Sequence, residues 1–245
     1  MSTEVIDPYG DIIVTCSNVN FLVSSNALSL ASPVFYSMFR PGVKEGLAVR
    51  GTPGSLEAPV IPFPDDDPDT FRLFCNLAHH RLPVLPEILD TTSLKDLAIF
   101  IVKYACRPAI IDRGWLWITK DELFAEPSPE DCWNAMLFAY AMDLQERFSY
   151  FSGKLLSSRR QSFTNWDYAL ANLEFMPHHV LEQLHANELD IKQHLLEELV
   201  KCAEDEQAGI CLPCVKHEPC DKHPRLHKED GIQGNEEKEV SGPGI

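Results

Sequence analysis

The densest set of metal-capable side chains lies near the C-terminus, as Cys211-x2-Cys214-x2-His217-x2-Cys220-x2-His223, with His227 beyond. Zinc takes four nitrogen or sulfur ligands in a tetrahedron, and a Cys-x2-Cys pair lets two thiolates reach one ion. Cys211, Cys214 and Cys220, with either His217 or His223, would complete a Cys3His site. A full ligand set of that kind staples a fold and leaves no open position for catalysis. No connecting loop of finger, ribbon or knuckle length separates the ligands. The competing reading is therefore a thiol-rich polar tail that binds no metal.

Other titratable groups do not converge. His79-His80 and His178-His179 are adjacent pairs, and neighbours on a helix point about 100° apart. They are read as surface or cap histidines. Asp65-Asp66-Asp67 lacks the alternate spacing and the glycine of a calcium loop, and reads as a charged turn before a helix. Cys16, Cys75, Cys106, Cys132 and Cys202 are scattered, mostly among apolar neighbours, and read as small core hydrophobes with free thiols. No G-x-S-x-G, H-E-x-x-H, P-loop or G-x-G-x-x-G element occurs, and no residue stands out as a nucleophile or base. The chain is therefore expected not to be an enzyme, with no catalytic residue and no cofactor beyond the zinc alternative.

The elements that would position these groups must come from 245 residues, enough for one large domain or two modest ones. A hydrophobic fraction of 44% excludes wholesale disorder. A net charge of −16 argues against nucleic-acid partners, which need clustered Lys and Arg. The densest apolar stretch, Leu97–Ala105, is interrupted by Lys103, so no membrane span is expected. The N-terminus is acidic where a secretory signal would be basic, and the protein is read as intracellular.

Ile12, Val14 and Cys16 alternate along Asp11–Ser17, and Phe21-Leu22-Val23 follows a turn-rich Ser17–Asn20, which predicts a hairpin. Leu28 to Phe39 suit a helical pair, the second helix starting at Ser32-Pro33 and ending at Pro41-Gly42. Residues 42–59 hold four glycines and read as a mobile loop, with Val60–Phe63 a third strand. Asp67-Pro68 starts a helix with a Phe71, Phe74, Cys75, Ala78 stripe, and Leu94 to Ala105 repeat that pattern. Helices are further expected over Ile110–Thr119, after Ser128-Pro129, over Asn165–Phe175, and over Val180–Cys202. The last carries Leu184, Ile191, Leu195, Leu199 and Cys202 on one side. The reading is an α+β domain over 9–106, an all-α extension over 107–203, and a Cys/His-containing polar tail over 204–245, partly disordered.

Phe21-Leu22-Val23-Ser24, Leu28, Ser32-Pro33-Val34-Phe35, Met38-Phe39 and the Pro62–Pro68 segment before Phe71 resemble the signature of the BTB/POZ family. The form is closest to members abundant in fungi, which also carry a segment like Lys103-Tyr104-Ala105-Cys106. The resemblance implies a small sheet packed against a helical cluster, and a protein–protein interaction module that self-associates or recruits protein partners. It also implies a narrower alternative, a substrate adaptor of a cullin ubiquitin ligase. Such adaptors carry an apolar-x-Glu element after the Met-Phe helix, and Val43-Lys44-Glu45 stands at that place.

Two departures qualify the resemblance. The family has a histidine and often a basic residue where this chain has Ser24-Ser25. Only Asp11 remains of the charged pocket that transcription-factor members build at their dimer interface. Met1–Tyr9 is too short, and with Pro8 too broken, for the helix those members exchange between subunits.

Overall fold

The computed structural model describes residues 3–49, 58–120, 125–158, 166–171 and 178–207, and the chain divides into two units, 1–185 and 186–245. The first unit is α+β. Its strands are β1 (Thr3–Val5), β2 (Ile12–Cys16), β3 (Val19–Val23) and β4 (Val60–Phe63), in the sheet order β1-β3-β2-β4. The hairpin forms as its alternation predicts: Ile12, Val14 and Cys16 are fully buried on one face. Val14 stands opposite Phe21 and Cys16 opposite Val19, so Val19 and Asn20 belong to the strand and Ser17 turns the chain at φ 51°.

The sheet begins earlier than the expected residue 9. β1 lies parallel to β3, held by Ile6, whose side chain is 3% exposed, and by bonds from the Ile6 and Asp7 amides to the Leu22 carbonyl.

β4 runs parallel to β2, which requires a crossover between them. Three short helices supply it: α1 (Ser25–Ala31), α2 (Pro33–Met38) and α3 (Lys44–Val49). Ser32 caps α2 by accepting from the Phe35 amide at 3.1 Å, with Pro33 in the first turn where its missing N–H costs nothing. The same hydroxyl donates to the Tyr104 carbonyl, 72 residues away. The expected loop over 42–59 is corrected by α3. Gly46 is buried, and a β-carbon there would lie 1.9 Å from the Arg40 carbonyl oxygen, so glycine lets the helix press onto the end of α2. The rest of that expected loop, 50–57, lies outside the described residues.

Next come α4 (Pro68–Ala78), capped by Asp67 through the Thr70 amide and hydroxyl, and α5 (Thr91–Tyr104), capped by Asp90 through Ser93. Phe35 is the hub of the first core. Its ring lies 4.5 Å from Tyr104, 5.6 Å from Phe74 and 5.8 Å from Phe63 between centroids. Burying each such ring contributes roughly 1.5–3 kcal/mol.

The core runs on past Cys106 through α6 (Arg107–Ile118), α7 (Pro129–Met142) and α8 (Gln145–Ser158), where Trp117, Trp133, Phe138 and Phe151 are fully buried. Ser128 and Asp131 form a capping box at the start of α7. Every residue from Cys132 to Ala139 is buried, so α7 is a central helix covered on all sides rather than an amphipathic one.

A short helix, α9 (Asp167–Leu170), occupies part of the expected Asn165–Phe175 stretch. The last, α10, spans His178–Gln207. Leu184 is 4% exposed, whereas Ile191, Leu195 and Leu199 are 45–67% exposed, so the expected stripe is buried only at its start. No described helix is long and apolar enough to cross a membrane.

Candidate functional site

An open groove of about 720 Å³ lies beside α1, walled by the C-terminal turn of α4, the segment after β1 and the start of α6. Its lining is mostly small and apolar: Ile6, Ala27, Ala31, Ala78 and Ala109 contribute, and Leu30 stands on its lip with 82% of its surface exposed.

His79, at the end of α4, fixes one wall. Its Nδ1 lies 2.8 Å from the Cys75 carbonyl, and its Nε2 lies 3.0 Å from the Ser24 amide. A carbonyl only accepts and an amide only donates, so in this arrangement Nδ1 is the donor and Nε2 the acceptor. Both ring nitrogens are occupied in binding backbone, and the ring ties α4 to the cap of α1. His80 follows in the left-handed region at φ 53°. The His80 amide bonds Leu77 and the Arg81 amide bonds Asn76, closing the helix with a Schellman motif. The histidine pair expected at the surface or as a cap is thus one bridge and one cap.

Asp11 does not stand as an open charge. Its two oxygens accept from the Ser25 amide and the Ser25 hydroxyl, both at 2.6 Å, so a serine takes up the carboxylate that the family resemblance pairs with a basic residue. The free charges of the groove are Asp7 and Arg81. The Asp7 carboxylate accepts from the Tyr9 amide, and Arg81 reaches the Val5 carbonyl at 3.4 Å. Neither is ion-paired among the described residues.

Val43 and Glu45 lie at the start of α3, away from this groove's lining. Val43 is 38% and Leu47 61% exposed, with Glu45 half-buried between them in the first turn. Cys211, Cys214, His217, Cys220 and His223 lie outside the described residues. Among the described residues no three His, Cys, Asp or Glu side chains are placed to hold a metal ion.

The buried thiols are poor nucleophiles. Burial pushes Cys16 and Cys106 up to about 12, with Asp66 and Asp67 adding to the effect at Cys16. Cys75 and Cys132 are raised from the same cause. Thiols held protonated at neutral pH pack as small hydrophobes.

Compared with known proteins, the chain matches no family model and no curated protein. The groove was not legible in the sequence. It arises where four separate segments meet, and only the Cys75-to-His79 spacing of one helical turn hinted that His79 could turn back on its own helix.

Proposed function

We propose that the chain is a non-catalytic interaction module of BTB/POZ type that pairs with a second copy of itself across the α1 face. The hairpin, the Ser32-capped helix carrying Phe35, and the parallel β4 leading into α4 support the family reading, because they join the quoted motifs in one core. The observation that carries the self-association is the lip of the groove. An almost fully exposed Leu30 sits beside a small-residue concavity that also holds the Asp7 carboxylate and the Arg81 guanidinium, neither ion-paired among the described residues. A two-fold contact sets the same patch against itself, so a surface bearing an apolar projection, a recess and both charge signs is self-complementary.

Nothing in the groove is poised for reaction. His79 has both nitrogens engaged, and the neighbouring Cys75 thiol is fully buried. Sedimentation equilibrium of the full chain tests the proposal. The expected result is a concentration-dependent dimer that Leu30→Glu converts to monomer with an unchanged circular dichroism spectrum. A wild-type monomer at every concentration, or a Leu30→Glu dimer, overturns it.

A second reading, an adaptor for a cullin ubiquitin ligase, is favoured by Val43 and Leu47 standing exposed one turn apart, flanking Glu45. Co-purification of a cullin that survives Glu45→Arg removes that element from the case.

A further inference from the structure

Beyond Ala186, α10 carries an apolar face that stands largely in solvent. Leu189, Ile191, Leu195, Leu196, Leu199 and Val200 are each 45–67% exposed. At 100° per residue they cover an arc of about 180°, wider than the roughly 100° with which a surface helix faces one core. Lys192, inside the arc, is held by Glu188 at 2.5 Å. Glu198 stands on one border of the arc, beside Ile191. Glu197 stands near the other, accepting from Gln193 at 2.9 Å, and both carboxylates are exposed. A face of this size wants a cover that is apolar in the middle and basic at its edges.

The second observation is the sign of the chain that follows. Between residues 186 and 207 the helix has seven carboxylates against two lysines. Residues 215–228 reverse that balance: Lys216, Lys222, Arg225 and Lys228, with three histidines, stand against Glu218 and Asp221, in a protein of net charge −16. Ile210, Leu212, Val215 and Leu226 are interspersed with them. These residues lie outside the described ones, but the division of the chain puts them in the same unit as α10 beyond Ala186.

The covalent reach is sufficient. From Gln207 back to Leu195 is twelve residues of helix, about 18 Å. The seven residues 208–214 span up to about 23 Å when extended, so residues 215–228 can come level with Leu195 and Leu199. A segment tethered this closely acts at an effective concentration in the millimolar range, which a free partner must exceed. A second copy of α10 is a poorer cover, because its own Glu197 and Glu198 would face like charges. We infer that residues 210–228 fold back along α10 of the same chain, their apolar side chains on Leu195, Leu199 and Val200 and their cations beside Glu197 and Glu198. Held there, the segment closes the apolar face to other proteins. The inference stands apart from self-association at α1, and neither depends on the other.

The test mixes equal amounts of unlabelled and 15N-labelled full chain and adds a water-soluble carbodiimide, which joins lysine amines to carboxylates in contact. Mass spectrometry then reads the linked peptides. The expected links run from Lys216, Lys222 or Lys228 to Glu197 or Glu198, each within peptides of a single isotope. Mixed-isotope links would assign the cover to the tail of a second copy and overturn the inference. So would equal yields to Asp112 and Glu146, exposed carboxylates of the first unit. A second measurement compares amide exchange at residues 195–200 in wild type and in the full chain carrying Lys216→Glu, Lys222→Glu, Arg225→Glu and Lys228→Glu. Exchange is expected to quicken roughly tenfold as the cover is repelled. Unchanged exchange would leave the face to some other chain and overturn the inference. The wild-type links decide it even if the variant fails to fold.

Discussion

The Tyr104 hydroxyl donates a 2.6 Å hydrogen bond to the Asp66 carboxylate, whose other oxygen is held by Lys103 at 2.8 Å. Asp66 is 7% exposed, so a buried charge is satisfied by two consecutive residues of α5. Two stretches that read in the sequence as separate motifs, the aspartates before α4 and the Lys103-Tyr104 pair, are one contact in space. Burial and the facing carboxylate both push the Tyr104 hydroxyl well above its ordinary value, so it stays a donor. Tyr104→Phe leaves Asp66 a donor short and is expected to cost about 1–3 kcal/mol. Urea unfolding measures it, and a midpoint within error of wild type would show that the bond does not contribute.

What was legible depended on how local its cause was. The caps at Ser32, Asp67 and Ser128 were readable because an N-cap is satisfied three residues along the same chain. The hairpin was readable because alternation at Ile12, Val14 and Cys16 has one cause, a buried face. β1 was missed because three residues carry too little pattern, and its partners in β3 lie seventeen residues on, as Thr3 opposite Asn20. α3 was missed because glycine ordinarily breaks helices, whereas Gly46 is needed for close approach to Arg40. The groove's charges, Asp7 and Arg81, come together only through tertiary structure.

His79 bridges Cys75 and Ser24 through both nitrogens. His79→Ala strands the Ser24 amide and loosens the cap of α1, at an expected cost of about 1–3 kcal/mol. Because Ser24 and His79 both line the α1 groove, the proposed dimer is expected to weaken as well. Comparing His79→Ala with Leu30→Glu separates the effects, since exposed Leu30 is expected to change assembly without changing the unfolding midpoint.

Gly46→Ala introduces a β-carbon that would meet backbone at the end of α2. Backbone cannot swing aside as a side chain can, so α3 must shift, at an expected cost of about 1–3 kcal/mol. The start of α3 carries Val43 and Glu45, so amide exchange over 43–49 is expected to accelerate. Unchanged exchange there would mean that the contact with Arg40 does not set the position of α3.

Asp131 joins α7 to α5 by accepting from Ser128 and Thr91. Burial pushes its carboxyl up, but these bonds prevail and hold it below the ordinary value. A depressed folded-state value means that the unfolded chain binds the proton more readily. Stability from Asp131 is therefore present above about pH 4 and lost as pH falls through the folded value. Asp90 is lowered in the same direction through Ser93. Asp131→Asn is expected to lower the urea midpoint at pH 7, and the gap from wild type to narrow as pH approaches 3. A gap independent of pH would assign the loss to packing instead of charge.

Salt sets the last test, and its sign is the informative part. Each chain carries a net charge of −16, so two copies repel over any distance that ions do not screen. The screening length falls from about 10 Å at 0.1 M to about 3 Å at 1 M, which removes that repulsion while leaving apolar burial at Leu30 intact. The Asp7 and Arg81 pair across a two-fold contact would weaken, but a partly buried pair is screened less than dispersed surface charge. Raising salt is therefore expected to tighten the proposed dimer, measured as a fall in its dissociation constant by sedimentation equilibrium. A dimer that loosens with salt would instead be held by opposed surface charges, and Leu30 would not be its centre.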